Sequence, residues 1–185
     1  LPLLRQNKLK KDERRLRIVS AGCSSGEEVY TLAMLLLESG IFLWDWDVCI
    51  TGIDIDSRIL ARARDGVYPP RAFQATPPHL MTRYFTQCAE GARIKDVLRT
   101  STRFVEGNLL ELDSIVDEQD VDIIFCRNVL IYFNDETIRR IALSFHRALA
   151  PEGHLFLGHS ESLSRITNRY LPMRFPGAII YRKRD

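Results

Sequence analysis

The sequence predicts an α/β domain built on a largely parallel β-sheet. Apolar strand-like segments alternate with amphipathic helix-like segments along the 185 residues, and this alternation is typical of parallel strands connected by helices. Polar residues follow the predicted ends of four strands, where ligands bind in open α/β sheets. The length is sufficient for one domain with its own core.

The first part of the chain contains two predicted strand–helix pairs. The segment "LRIVSAG" (16–22) is predicted to be a buried strand, and "EEVYTLAMLLLESG" a helix that ends at Gly40. "DVCITGIDID" is a second strand that ends in acidic residues. The helix "SRILARARDG" follows it, and we expect Ser57 to cap this helix and Gly66 to end it.

An insertion is expected at residues 67–102, because prolines punctuate this stretch and interrupt the alternation of strands and helices. After it, "RFVEG" and Val121–Cys126 are predicted strands. "NDETIRRIALSFHRALAPEG" is a predicted helix, capped by Asn134 and ended by Pro151–Gly153. "HLFLGHSES" is a further strand with its loop, and the chain is expected to finish in a hairpin across Pro176–Gly177.

Composition and charge limit the classes of function. A net charge of +2 gives no strong case for a nucleic-acid partner, no apolar run is long enough to span a membrane, and no signal peptide is visible. The cysteines lie far apart and form no CxxC pair: Cys23, Cys49, Cys88 and Cys126. We therefore expect neither a disulfide nor a metal site, and a reduced, cytoplasmic setting fits best.

Residues 1–17 are basic, and we interpret them as a solvated helix or linker, with a surface for an acidic partner as the alternative. The chain opens with Leu1 rather than Met. We therefore expect residues 1–15 to be a linker or helix that follows a missing N-terminal region, and residues 16–185 to form the main domain.

The loop "SAGCSSGEE" (20–28) raises two alternatives. Its "GCSSG" matches G-x-S-x-G, the nucleophile elbow of serine hydrolases. That interpretation makes Ser24 the nucleophile and needs an acid and a histidine after it, for which Asp122 and either His154 or His159 are available. It is disfavoured because Asp122 lies inside a predicted strand, and because an elbow normally follows a central strand that several others precede.

The second alternative is a glycine-rich loop that cradles a nucleotide-like cofactor. Gly22 and Gly26 allow a close approach of the backbone to a ligand. Asp54, at the end of the second strand, can accept hydrogen bonds from both ribose hydroxyls. Glu27 and Glu28 at the start of the helix would repel a pyrophosphate. The alternative is that they only complement the helix dipole, and we favour this interpretation for Glu27. A ligand with a ribose and a positive group but no phosphates is therefore favoured, and S-adenosylmethionine fits this description.

Several segments closely resemble the CheR family of chemotaxis-receptor glutamate methyltransferases: "SAGCSSGEEVYTLAM", "GIDIDSRILARARDGVY", "RYF", "NLLE", "DIIFCRNVLIYF" and "GHLFLGHSESL". The resemblance extends from about residue 16 to the C-terminus, and "FCRNVLIYF" and "GHSES" are its most specific parts. It implies a class I S-adenosylmethionine-dependent methyltransferase fold. This fold has a Rossmann-like sheet with a terminal antiparallel hairpin and a small inserted β subdomain, which would account for 67–102.

The resemblance also implies roles for individual residues. With Gly22, the residues expected to contact the cofactor are Glu28, Asp54, Asn108, Leu109, Arg127 and Asn128. Asp54 would hold the ribose, and Asn108 and Leu109 would border the adenine. Tyr132 would lie near the transferred methyl group. Arg127 would orient the substrate carboxylate, contact the cofactor carboxylate or brace the loop beside it.

The implied reaction is a one-step displacement in which a receptor glutamate carboxylate attacks the methyl carbon and S-adenosylhomocysteine leaves. A carboxylate is already ionised at neutral pH, so no general base is required, and alignment is the main catalytic task. A structural hydrogen-bonding role is therefore expected for His159. The alternative is a non-catalytic module of the same fold that binds S-adenosylmethionine or S-adenosylhomocysteine.

The implied partners are the cytoplasmic helices of methyl-accepting chemotaxis receptors, with no nucleic acid and no insertion into the membrane, and we expect a monomer. The insertion at 67–102 either binds a receptor tail by β-strand addition or forms a structural flap. The sequence departs from the family pattern in two ways. An N-terminal helical domain with an N-x-T-x-F-F-R segment is missing, and Val29 replaces a proline in the first helical turn.

Overall fold

A seven-stranded sheet lies at the centre of the computed structural model, which describes residues 1–42, 45–116, 121–175 and 178–184. The strands in these ranges are β1 (Arg15–Ala21), β2 (Asp47–Asp54), β3 (Val67–Tyr68), β4 (Phe85–Cys88), β5 (Gly91–Ile94), β6 (Thr102–Glu106), β7 (Val121–Cys126), β8 (Leu149–Leu157), β9 (Tyr170–Phe175) and β10 (Ala178–Lys183). The α-helices are α1 (Pro2–Lys10), α2 (Glu27–Ser39), α3 (Ser57–Asp65), α4 (Pro78–Tyr84), α5 (Asp96–Arg99), α6 (Leu112–Ile115) and α7 (Asp135–Ala148). Short 3-10 helices occupy Pro70–Phe73, Leu109–Glu111 and Leu130–Tyr132.

The main sheet has the strand order β6-β2-β1-β7-β8-β10-β9. β1 pairs in parallel with β2 and β7, and β6 and β8 extend the parallel part on either side. β10 runs antiparallel to both β8 and β9. This confirms the predicted α/β class with its largely parallel sheet. The residues expected at the turn of the terminal hairpin, Pro176 and Gly177, lie outside the described residues.

Two apolar cores cover the two faces of the main sheet. Leu16 and Ile18 of β1 belong to one cluster, whereas Val19 and Ala21 belong to the other, where they share a core with Phe145 of α7. Side chains alternate between the faces of a strand, and both faces of β1 are buried. This is why the segment appears in the sequence as a continuous apolar run.

Three predicted helix ends are confirmed. Gly40 and Gly66 end α2 and α3 with φ near 61°, in the left-handed region that glycine adopts without steric cost. The side chain of Asn134 accepts the N–H of Thr137 at 2.9 Å and so caps α7.

Two other predicted ends are wrong. The carboxylate of Asp56, rather than Ser57, caps α3 by accepting a backbone N–H from its first turn. The predicted end of α7 at Pro151–Gly153 lies within β8 instead. The helix stops earlier because Leu149 already pairs with Val121 of the neighbouring strand.

A second, three-stranded antiparallel sheet lies between α3 and β6, with the strand order β3-β5-β4. Its strands run from residue 67 to residue 94, and the chain rejoins the main sheet in β6, where Thr102 pairs with Ile50. The treatment of 67–102 as a separate subdomain stays a prediction.

The N-terminal helix α1 packs against the amino ends of the parallel strands. Lys8 is only 5% exposed, and its Nζ lies 2.7 Å from an oxygen of Asp122, which is 3% exposed. The expectation of a solvated N-terminal segment is therefore wrong at Lys8, because the ammonium group is the partner of a carboxylate buried in β7. No helix in the described ranges has the length and apolar character needed to span a membrane.

Candidate active site

The loop that follows β1 turns sharply at Gly22, which has φ 74°. Its N–H donates to the carbonyl of Ile53 at 2.8 Å, so the loop is tied to the end of β2. A Cβ on Gly22 would lie 2.5 Å from Val129 Cγ2, closer than side-chain packing permits. Glycine is therefore required here, because the loops after β1 and β7 approach each other without room for a side chain.

Asp54 holds the loops around the end of β2. Its Oδ2 accepts the N–H of Ser24 at 2.8 Å, and its Oδ1 accepts the N–H of Asp56 at 3.1 Å. Its backbone carbonyl accepts the N–H of Gly107, beyond β6, at 3.0 Å. Each carboxylate oxygen has two lone pairs, so Asp54 retains acceptor capacity for a ligand.

Glu28 links the start of α2 to the loop after β7. One carboxylate oxygen accepts the hydroxyl of buried Ser20 at 2.8 Å, and the other lies 3.7 Å from Nη1 of Arg127. The two side chains are 26% and 49% exposed. This pair is therefore held in place at one end and open to a ligand at the other.

Asn108 and Leu109 lie just beyond β6 on the same edge of the sheet. Asn108 caps the short helix Leu109–Glu111 by accepting the N–H of Leu110 at 3.0 Å. Asn108 is exposed and Leu109 is half-buried. Through the contact between Gly107 and Asp54, this segment joins the loops already described.

The loop after β7 presents an exposed apolar turn. Asn128 adopts φ 59°, and the short helix Leu130–Tyr132 follows. Tyr132 is 79% exposed, and its neighbours Ile131 and Phe133 are 52% and 42% exposed. The predicted site residues thus lie at or just beyond the carboxyl ends of the parallel strands, although their roles as ligand contacts stay predictions.

Glu161 is a residue of this edge that the sequence analysis missed. Its carboxylate accepts four backbone N–H groups, from Asn128, Val129, Leu130 and Gly158. The only signal in the sequence was its place in "GHSES". The expected structural role of His159 in that motif is wrong. His159 is exposed and has no hydrogen-bond partner among the described residues, whereas Glu161 makes the bonds.

The second sheet contacts the loop after β1. The hydroxyl of Tyr68, in β3, donates to the carbonyl of Ser25 at 2.7 Å, and burial raises the pKa of this tyrosine. The ring of Tyr68 also contacts that of Tyr30 in α2, edge to face, with 6.2 Å between the centroids. The inserted strands therefore support the same loop that carries Gly22.

The geometry contradicts the hydrolase alternative. Ser24 follows the carboxyl end of β1, whereas Asp122 lies near the amino end of β7 and is bound to Lys8. His154 pairs with Ile123 in the body of the sheet. Within the described ranges, the hydroxyl of Ser24 has no hydrogen-bond partner that would activate it.

The four cysteines are free thiols, and Cys23 and Cys126 are buried. Burial and the charge of Asp54 raise the pKa of the Cys23 thiol to about 12, so this thiol is protonated at neutral pH. The described residues contain no group of histidine, cysteine and acidic side chains arranged to hold a metal ion. The polar groups present at this edge are the carboxylates of Glu28 and Asp54, backbone amides, the guanidinium of Arg127 and the hydroxyl of Tyr132.

These groups fit S-adenosylmethionine. Asp54 offers carboxylate acceptors that suit ribose hydroxyls, and Glu28 adds negative charge near the start of α2. Glu27 and Glu28 occupy the first turn of this helix, where a phosphate would otherwise bind. The edge thus favours a ligand with cationic groups over one with phosphates.

Comparisons with known proteins agree with this geometry. The family described as CheR methyltransferase, SAM binding domain, matches residues 2–177. Chemotaxis protein methyltransferase 2 of Vibrio cholerae is 40% identical over 169 residues, which are 91% of this chain and 59% of that protein. A chemotaxis protein methyltransferase of Borreliella burgdorferi is 36% identical over 165 residues, or 88% of this chain and 58% of that protein. This chain therefore spans less than two thirds of the length of these curated relatives.

A solved structure shows the same fold. Magnesium protoporphyrin IX methyltransferase from Synechocystis, with bound SAM, aligns over 98% of this chain and 77% of its own chain, with a TM-score of 0.54. Its sequence identity is 15%, so this likeness concerns the fold alone. The family match over nearly the whole chain, the identities to the chemotaxis methyltransferases and the class I fold together show that the chain belongs to the CheR methyltransferase family.

Proposed function

We propose that this chain transfers a methyl group from S-adenosylmethionine to glutamate side-chain carboxylates of chemotaxis receptors. The main support for the proposal is that the loops after β1, β2, β6 and β7 meet at the carboxyl ends of the parallel strands. Asp54 hydrogen-bonds to the loop after β1 and to the segment after β6. Glu28 lies beside Arg127, which belongs to the loop after β7. The curated relatives, which are named as chemotaxis methyltransferases, support the assignment of the reaction.

In this proposal, Asp54 binds the ribose with the acceptor capacity that its two backbone contacts leave free. Glu28 faces the cationic end of the cofactor, and Asn108 and Leu109 border the adenine. S-adenosylmethionine, when bound, supplies an electrophilic methyl group. Gly22 lets the loop after β1 pack directly against Val129 in the loop after β7, which brings the two loops together around the ligand.

The substrate glutamate needs no base, because its carboxylate is ionised at neutral pH. The residues of this chain align it and exclude water. Arg127 is half exposed and uses one side of its guanidinium toward Glu28, so other N–H groups remain to orient the incoming carboxylate. Tyr132 extends its hydroxyl from an exposed turn, and the apolar Ile131 and Phe133 flank it.

The test is methyl transfer to a purified receptor cytoplasmic fragment, with the methyl esters located by mass spectrometry. We expect esters on glutamates with the wild-type chain, and greatly reduced transfer with Asp54→Asn. The matched control is Asp56→Asn, because asparagine also caps helices and Asp56 is not assigned to the cofactor. Binding of S-adenosylhomocysteine without transfer would indicate the non-catalytic module instead.

A further proposal concerns the second sheet. β4 is an edge strand with exposed Thr86 and Gln87, and an edge strand can pair with an added peptide. We propose that a receptor tail binds here. A receptor-tail peptide should bind wild type in a fluorescence titration and bind Gln87→Pro weakly. The Lys95 N–H bonds to the carbonyl of Tyr84, so the alternation of the β4–β5 ladder directs the N–H of Gln87 away from β5, toward an added strand. Equal affinities would favour a structural flap.

A further inference from the structure

The carboxylate of Glu161 is bound entirely by the backbone of two loops. Its Oε2 accepts the N–H of Asn128 at 2.9 Å and that of Gly158 at 2.7 Å. Its Oε1 accepts the N–H of Val129 at 2.9 Å and that of Leu130 at 2.7 Å. Each oxygen thus has two donors, one for each lone pair. The side chain therefore connects the loop after β8 to the loop after β7.

Three of the donors are consecutive amides, at residues 128–130. They converge on one carboxylate because Asn128 adopts a left-handed conformation, with φ 59°, ahead of Val129 in the right-handed region. Successive amides in such an arrangement form an anion-binding concavity. Here the anion belongs to the chain itself, and its charge stabilises a backbone conformation that most residues avoid.

The same bonds determine where Tyr132 lies. The carbonyl of Val129 accepts the N–H of Tyr132 at 3.2 Å, and that of Leu130 accepts the N–H of Phe133 at 3.1 Å. Leu130 is buried, at 4% exposed, and so anchors the turn on its inner side. Because Glu161 holds the amides of Val129 and Leu130, it also holds the short helix that presents Tyr132.

We propose that Glu161 is a positioning residue for methyl transfer. Its carboxylate fixes Asn128 on the cofactor side and Tyr132 on the substrate side, and it contacts neither ligand. This inference rests on the proposed function, because the positions that it fixes matter for the reaction only if this edge carries it out. Within the motif "GHSES", Glu161 rather than His159 is therefore the residue with a positioning role.

The carboxylate cannot be replaced by an amide of the same size. A glutamine at 161 would present one oxygen acceptor and one NH₂ donor. Whichever way the amide turned, the NH₂ would face two backbone N–H donors that now bind an oxygen. We therefore expect Glu161→Gln to release one pair of amides, whereas Glu161→Asp keeps two acceptor oxygens on a shorter side chain.

Gly158 gives a second way to disturb the same contact without changing Glu161. A Cβ at Gly158 would lie 2.7 Å from Oε2 of Glu161 and 3.1 Å from the amide nitrogen of Asn128. The carboxylate would have to leave its amide donors to make room. Gly158→Ala should therefore produce the effect of Glu161→Gln through sterics alone.

The experiment compares Glu161→Gln, Glu161→Asp and Gly158→Ala with wild type. The control is Glu152→Gln, since Glu152 is an exposed glutamate at the surface whose side chain pairs with Arg182. Amide hydrogen exchange by NMR reports the amides at 128–130, and single-turnover assays with S-adenosylmethionine and a receptor fragment report methyl transfer. Affinity for S-adenosylhomocysteine and urea unfolding are measured in parallel.

We expect Glu161→Gln and Gly158→Ala to lose exchange protection at 128–130 and to slow methyl transfer roughly 10- to 100-fold, because small misplacements of reacting groups have effects of this size. Glu161→Asp should recover part of the rate, and Glu152→Gln should match wild type. If Glu161→Gln does not fold, Gly158→Ala and Glu161→Asp decide the question.

Two results would overturn the inference. One is unchanged protection of the amides at 128–130 in both Glu161→Gln and Gly158→Ala. The other is lost protection with an unchanged transfer rate, which would make Glu161 a structural residue only. A wild-type chain that binds no S-adenosylhomocysteine and transfers no methyl group would contradict the proposed function. In that case the inference about methyl transfer fails with it, while the exchange data still report the contact itself.

Discussion

Carboxylates have different partners at the two ends of the parallel strands, which we call the amino edge and the carboxyl edge of the main sheet. At the amino edge, Asp122 is 3% exposed and binds the ammonium of Lys8 at 2.7 Å. It also accepts the N–H of Arg17 at 2.9 Å. At the carboxyl edge, Asp54 and Glu161 bind backbone N–H groups of loops.

This difference distinguishes a pair that joins a helix to the sheet from carboxylates that order the loops of the candidate site. A buried carboxylate paired with a cation holds α1 against the sheet. A carboxylate bound to loop amides sets the conformation of a loop and, in Asp54, retains accessible lone pairs. The nature of the partner, cation or backbone amide, therefore distinguishes the two edges better than the charge of the residue does.

The largest predicted effect concerns the amino edge. Lys8→Met should lower the free energy of unfolding by about 3–5 kcal/mol, because it leaves Asp122 buried without its cation. Urea unfolding measures this change. Lys10→Met on the same helix is the control, since Lys10 is exposed.

The double variant Lys8→Met, Asp122→Asn sharpens this prediction. An asparagine oxygen can still accept the N–H of Arg17, so removal of both charges should recover much of the lost stability. Affinity for S-adenosylhomocysteine should stay at the wild-type value while the protein is folded. A stability loss no greater than that of Lys10→Met would show that the pair contributes little.

A smaller effect is expected at the carboxyl edge from Tyr132→Phe. The hydroxyl is exposed, so its removal should leave stability and cofactor affinity nearly unchanged. Single-turnover methyl transfer should slow roughly two- to tenfold, because a neutral hydrogen bond contributes about 0.5–1.5 kcal/mol. Tyr170→Phe is the matched control, since its hydroxyl donates to the carbonyl of Ala142 in the core. Its transfer rate should equal that of wild type, and an equal rate in Tyr132→Phe would exclude a role for that hydroxyl.

The smallest effect tests the negative charge at this edge directly. Burial first, and the charge of Asp54 second, raise the pKa of Cys23 to about 12. Asp54→Asn removes the second cause, so the thiolate should form at lower pH than in wild type, although still above the ordinary range of a thiol. The pH dependence of Cys23 alkylation by iodoacetamide, followed by mass spectrometry, measures the shift. An unchanged profile would show that the carboxylate of Asp54 has little electrostatic effect on this thiol.

Much of the fold was predictable because its signals are local. Buried strands appear as apolar runs, and Gly40, Gly66 and Asn134 mark helix ends with their own conformations. The candidate site followed from these strands, since the carboxyl ends of parallel strands meet at one edge. Asp54 was expected there for that reason.

The missed contacts depend on distant parts of the chain. Glu161 binds amides about 30 residues away, and a backbone N–H is present at every position except proline, so it leaves no trace in the sequence. Lys8 looked like one of many basic residues in a polar segment, and only the fold places it beside Asp122. The sequence therefore predicted which strand ends carry the candidate site residues, but not the side chain that binds the amides of their loops.

The most direct test of the account is a calorimetric titration of S-adenosylhomocysteine into wild type, Asp54→Asn and Asp56→Asn. Hydrogen bonds to a charged group contribute about 1.5–3 kcal/mol, so Asp54→Asn should weaken binding roughly 10- to 100-fold. Asp56→Asn should bind like wild type, because asparagine can replace the helix cap. Saturable binding that Asp54→Asn alone weakens would support the carboxyl edge as the cofactor site. Equal affinity in all three proteins would contradict it.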